Sequence, residues 1–153
     1  DGIRDTSVTG VQTCALPIYI KLKVVFGNAL KKNFPLIHAV GKASSNKPRF
    51  LELTYKGSSK SFNITLIGKG VCFDSGGLNL KSSSGMLNMK KDMSGAASVL
   101  GLAHYFIRSN LKINLRILIP CVENSVSGKS FRPGDILISR SGMGVEKIGR
   151  AHV

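Results

Sequence analysis

A strand-sized apolar run, a stretch dense in glycine and serine, and an amphipathic helical segment follow one another between Phe62 and Ile107. That succession restricts the chain to folds in which strands and helices alternate in layers. Phe62–Ile67 reads as a strand, and Gly68 to Gly85 as a glycine- and serine-rich loop with ordered charges. From Met93 to Ile107 the residues Met93, Ala96, Ala97, Leu100, Ala103, His104 and Ile107 recur at helical spacing. Upstream, Tyr19–Phe26 reads as a strand, Gly27-Asn28 as a turn, Ala29–Asn33 as a short helical piece, and Phe34–Val40 as a helix with Pro35 in its first turn. Phe50–Tyr55 alternates as a strand, and with Gly57-Ser58-Ser59 and Phe62–Ile67 it predicts a hairpin. Downstream, Ile113–Ile119 is a near-continuous apolar strand closed by Pro120, Glu123–Asp135 a long loop, and Ile136–Ser139 a short strand. The expected class is α/β, with strands and helices in packed layers.

Composition narrows the function. An apolar fraction of 42% in 153 residues supports a packed core, and no run of about 18 apolar residues exists to span a membrane. Three cysteines (Cys14, Cys72, Cys121) without a C-x-x-C pair argue against a disulfide framework or a zinc knuckle. The expected location is cytoplasmic. The net charge of +14 suits a nucleic-acid binder. The basic residues are scattered, however, with Lys21/Lys23, Lys31/Lys32 and Lys90/Lys91 as the densest groups, so nucleic acid is not expected as the main partner.

The two ends differ from the rest. Residues 1–18 (DGIRDTSVTGVQTCALPI) have neither helical nor strand periodicity and resemble translated sequencing-adapter read-through, as does the tail 147–153. Residues 19–146 are taken as the natural segment.

Four ionisable residues lie among the glycines of GKGVCFDSGGLNLKSSSGMLNMKKDMSGAASVLG: Lys69, Asp74, Lys81 and Asp92. Glycines that let the backbone approach closely, with two carboxylates leading toward a helix start, describe a binding site, of which a metal or catalytic site is one reading. A capping aspartate explains Asp92 equally well, and Asp74-Ser75-Gly76-Gly77 also reads as a turn. Other motifs fail. Gly128-Lys129-Ser130 ends like a phosphate loop, but position 123 is Glu where the first glycine belongs. G-x-S-x-G and H-E-x-x-H are absent. His104 is expected as a core histidine and Cys72 as an inert buried thiol.

The run GKGVCFDSGGLNLK…GMLNMKKDMSGAA resembles the leucyl aminopeptidase (cytosol aminopeptidase) family of dinuclear metallopeptidases. ENSVSGKSFRPGDILISRSG (Glu123 to Gly142), NFPLIHAVGKAS and the strands around LELTYKG match the same family in order. The resemblance implies a three-layer αβα fold with a mixed central sheet, incomplete at its C-terminal side, with 19–146 as a partial metallopeptidase catalytic domain, and it implies roles residue by residue. Lys69 ligates one metal through its amine, Asp74 bridges two metals, and Asp92 is a second carboxylate on the lysine's metal. Lys81 is the catalytic lysine that polarises the scissile carbonyl. Met89 lines the pocket for the substrate's first side chain, and Lys81, Asp74 and Asp92 also face the substrate. The implied cofactors are two divalent ions (manganese, zinc or magnesium) and a bicarbonate, and the implied partners are peptide substrates and a homo-hexamer. A lysine holds a cation only as the neutral amine, a form that burial and nearby divalent charge favour and that arginine does not reach.

The family's second acidic motif, N-T-D-A-E-G-R, is expected soon after Arg140-Ser141-Gly142. Here no Asp or Glu follows Glu146. Lys69, Asp74 and Asp92 cannot complete two metal shells, so the polypeptide as written is expected to be inactive by itself. The alternative reading is a basic nucleic-acid-binding or pseudo-enzyme module of the same fold.

Overall fold

A computed structural model of the chain describes residues 20–57 and 63–147. The segment 1–18, Cys14, the Ser58-Ser59 turn, Phe62 and the tail beyond Lys147 lie outside the described residues.

Among the described residues, seven strands and four α-helices follow one another. They are β1 (Ile20–Phe26), α1 (Gly27–Asn33), α2 (Pro35–Gly41), β2 (Arg49–Lys56), β3 (Asn63–Ile67), β4 (Gly70–Asp74), α3 (Ser83–Met86), a 3-10 turn (Met89–Met93), α4 (Ser94–Arg108), β5 (Asn114–Asn124), β6 (Ile136–Ile138) and β7 (Gly144–Glu146). Five strands form one mixed sheet and β6–β7 a separate antiparallel pair. Gly27, expected in a turn, instead opens α1, with φ +59°.

β5 is the axis of the sheet. On one side it pairs antiparallel with β2, which pairs antiparallel with β1. On the other side it runs parallel first to β3 and then to β4. The expected β2–β3 hairpin is therefore absent, because β5 lies between the two strands. An apolar strand such as LRILIP buries more by pairing on both edges than a local hairpin could.

β5 also passes through Pro120, which was expected to end it. The Gly68 N–H donates to Leu118 O at 3.0 Å, so the even positions of β5 present their backbone groups to β3 and β4. β3 ends opposite Leu118 and β4 begins opposite Cys121. Pro120, with no N–H to give, falls at the break between them.

The alternation of β5 builds two apolar layers. Leu115, Ile117 and Ile119 join Leu51 and Leu53 from β2 and Ala96 and Ala103 from α4 in the main core. The opposite face carries Phe50, whose ring stacks on Phe34 between α1 and α2 with centroids 4.2 Å apart. Helices thus cover both faces, giving the three-layer order expected from the sequence. The buried stripe of α4 is Ala96, Ala103 and Ile107, with Val99, Leu100 and Phe106 partly buried. His104 and Ala97 are exposed, so His104 is not a core histidine. Two small alanines let α4 lie close to the sheet, and the buried arc is too narrow to include position 104.

Candidate metal centre

The site is built where β3 breaks into β4. At Gly68-Lys69 the strand leaves β5, and the Lys69 carbonyl accepts the Ala96 N–H at 2.8 Å. One free donor of the first turn of α4 is satisfied in this way. The contact requires glycine on both sides. A Cβ on Gly68 would lie 2.6 Å from Val99 Cγ2 and 2.7 Å from Gly95 O, and one on Gly95 would lie 2.9 Å from Lys69 N.

This close approach brings Lys69 to the 3-10 turn that precedes α4. Lys69 Nζ lies 2.7 Å from Asp92 Oδ1. Asp92 does not cap α4: the N-cap residue is Met93, and no side chain caps that end. The other carboxylate oxygen of Asp92, Oδ2, is buried and has no hydrogen-bond partner among the described residues. Such an oxygen is costly unless something electropositive meets it.

A second pair forms at the C-terminal end of β4. The four residues of β4 from Val71 to Asp74 span three of β5, from Val122 to Asn124, and this irregularity sets Asp74 opposite Asn124. A bulge of this kind re-aims a side chain. Gly76 (φ +92°) and Gly77 (φ +62°) then turn the chain back, and the Lys81 N–H closes the loop on Ser75 O at 3.0 Å. Lys81 Nζ comes to rest 3.3 Å from Asp74 Oδ2, both side chains being largely buried.

Asp74 Oδ1 accepts two protein donors, Gly76 N at 2.9 Å and Asn124 Nδ2 at 2.8 Å. Burial acts to raise the Asp74 pKa, but Gly76, Asn124 and Lys81 outweigh it and hold the carboxyl below the usual aspartate range. Met89 opens the 3-10 turn, which also holds Asp92, and is half-buried.

All four ionisable residues singled out in the sequence therefore border β4, as two lysine–carboxylate pairs. Asn124 escaped sequence reasoning because it stood at the start of what looked like a loop. Its signal was a polar residue ending an apolar strand. Cys72, expected to be buried, is exposed on β4 beside this site. Among the described residues no group of three or more His, Cys, Asp or Glu side chains could hold a metal. Any metal here would thus draw on lysine as well as carboxylate.

Residues 9–148 match the cytosol aminopeptidase family, catalytic domain. A "Probable cytosol aminopeptidase" of Chlamydia abortus is 48% identical over 118 residues, which are 76% of this chain and 24% of that protein. The crystal structure of a cytosol aminopeptidase from Coxiella burnetii superposes with a TM-score of 0.83 at 43% identity, covering 92% of this chain and 30% of the other. The bottromycin maturation enzyme BotP in complex with Mn superposes with a TM-score of 0.75 at 37% identity, covering 83% and 28%. The chain thus spans about a quarter of the length of the curated relatives it matches. With sequence and fold agreeing from end to end of the described residues, this chain belongs to the cytosol aminopeptidase family.

Proposed function

We propose that this chain carries the Lys69, Asp74, Lys81 and Asp92 portion of a metal-dependent aminopeptidase that removes leucine-like residues from the N-termini of peptides. The observation that carries this reading is the unpartnered, buried Oδ2 of Asp92 beside the Lys69 amine. Two carboxylates and an amine fit a divalent ion. Asp92 and Lys69 would hold one ion, with Lys69 as the neutral amine, and Asp74 would reach it and a second. BotP with Mn is a relative whose name records such an ion, which favours manganese over zinc or magnesium. Bound ions would supply Lewis-acid polarisation and a water nucleophile near neutral pH.

The chain's own residues supply the rest. Asp74 keeps one oxygen on Gly76 and Asn124 and leaves the other toward Lys81. Lys81, largely buried, would meet the carbonyl oxygen of the scissile bond, where negative charge develops. Met89, on the same turn as Asp92, would border the substrate's first side chain. Family membership further supports a bicarbonate in the intact site, a homo-hexamer and a cytoplasmic location. Among the described residues no helix is long and apolar enough to cross a membrane.

The 153-residue polypeptide has no carboxylate after Glu146 and is proposed to be inactive alone. The test is hydrolysis of leucyl-p-nitroanilide with added Mn2+. Full-length protein should cleave it, Lys81→Ala should lose about 100-fold or more in kcat, and the 153-residue polypeptide should show no turnover. Cleavage that survives both chelation and Lys81→Ala would refute the aminopeptidase reading, and turnover by the short polypeptide would refute its inactivity.

A further inference from the structure

We infer that Asn124 is a positioning residue for the Asp74 carboxylate, and that Gly77, already favoured as glycine by its left-handed backbone (φ +62°), also leaves the space that the Asn124 amide occupies. The inference rests on the metal-site reading proposed above.

Asn124 is the last residue of β5 and is 8% exposed. Its backbone carbonyl accepts both the Ser75 N–H, at 3.0 Å, and the Ser75 hydroxyl, at 2.7 Å. The residue following Asp74 is thereby pinned to the residue that faces Asp74. The side chain then donates through Nδ2 to Asp74 Oδ1 at 2.8 Å. The opposite orientation of the amide would set its oxygen against a carboxylate, so charge decides which way it points.

One consequence is unfavourable for the protein by itself. Asn124 Oδ1 is buried and has no hydrogen-bond partner among the described residues. It faces Gly77, where a Cβ would lie 2.8 Å away. Leaving that oxygen unpaired costs free energy that a purely structural asparagine would avoid. The cost is accepted where the other end of the amide fixes a functional carboxylate. With Oδ1 of Asp74 held by Asn124 and Gly76, the carboxylate cannot rotate, and Oδ2 remains the oxygen presented to the site. Outer partners of this kind orient a metal's ligands.

The test is Mn2+ binding to full-length protein, followed by electron paramagnetic resonance of the free ion, with far-UV circular dichroism of the metal-free proteins alongside. Asn124→Leu removes the donor at similar volume, and Asn124→Asp replaces it with a like charge at the same shape. Each should weaken Mn2+ binding by about 10- to 100-fold while the circular dichroism matches wild type. Gly77→Ala should weaken binding in the same direction. Should Asn124→Leu fail to fold, Asn124→Asp decides. Binding by a folded Asn124 variant within twofold of wild type would overturn the inference, as would loss of folding in both variants, which marks a structural role. Asp74→Asn is the separate control: if wild type binds Mn2+ no better than Asp74→Asn, the metal reading itself fails.

Discussion

Lys69 Nζ and Asp92 Oδ1 lie 2.7 Å apart although 22 residues, with β4 and α3 among them, separate them in sequence, and Asp92 Oδ2 beside them is buried without a hydrogen-bond partner among the described residues. The pair is held by backbone: the Lys69 carbonyl caps the first turn of α4, and two glycines allow that contact.

Lysine at position 69 is therefore expected to be specific. Lys69→Arg keeps the positive charge and its pairing with Asp92 but gives no neutral amine. Mn2+ affinity should fall at least tenfold, measured by calorimetric titration, with the thermal midpoint of the metal-free protein little changed. Unchanged affinity would remove Lys69 from the ligand set.

Gly68 and Gly101 should respond to alanine with opposite signs. At Gly68 a Cβ meets Val99, Gly95 and Ala96 within 2.6–2.8 Å, so Gly68→Ala should cost about 1–3 kcal/mol in urea unfolding. At Gly101, inside α4, nothing lies within 4 Å, and Gly101→Ala should stabilise by up to about 1 kcal/mol.

Glu123 ties two loops together. It accepts from Asn46 Nδ2 at 2.8 Å and from the Ser125 hydroxyl at 2.7 Å. These bonds outweigh burial and hold its pKa below the ordinary 4.5. A carboxyl lowered on folding adds stability that is complete above its unfolded pKa and is lost as pH falls through the folded one. The difference in urea midpoint between wild type and Glu123→Gln should thus be constant above about pH 5.5 and shrink below about pH 4.5. A difference that grows on acidification would contradict the assignment.

Cys72 and Cys121 should separate by reactivity. Burial, with a smaller contribution from Cys72, pushes the Cys121 thiol up to about 11, whereas Cys72 is exposed. Iodoacetamide at pH 8 followed by peptide mapping should label Cys72 well before Cys121. Equal rates would show that β4 and β5 separate readily in solution.

Local pattern revealed most of the elements. The apolar alternation of Phe50–Tyr55 corresponds to β2, and the helical spacing from Met93 to Ile107 to α4, with Met93 itself in the preceding 3-10 turn. What local pattern could not show was partnership. Nothing in Phe62–Ile67 says that it pairs with residues some 50 positions onward rather than with its neighbour β2. The same holds for the site. Lys69, Asp74, Lys81 and Asp92 stood out by type and by resemblance, but capping explained Asp92 equally well until Met93 proved to be the N-cap residue. Asn124 was hidden because its contact with Asp74 depends on the irregular register of β4 against β5. Cys72 and His104 were misplaced for a related reason: an apolar neighbourhood in sequence does not show which side of the strand or helix faces solvent.

The central claim is that Lys69 and Asp92 hold a divalent ion. Its most direct test is a crystal structure of the full-length protein grown with Mn2+, with anomalous scattering recorded at the manganese edge. The account predicts an anomalous peak within bonding distance of Asp92 Oδ2 and Lys69 Nζ, with the 2.7 Å Lys69–Asp92 contact opened to admit the ion. Fully occupied manganese elsewhere, with Lys69 still paired to Asp92 and no peak between them, would contradict it.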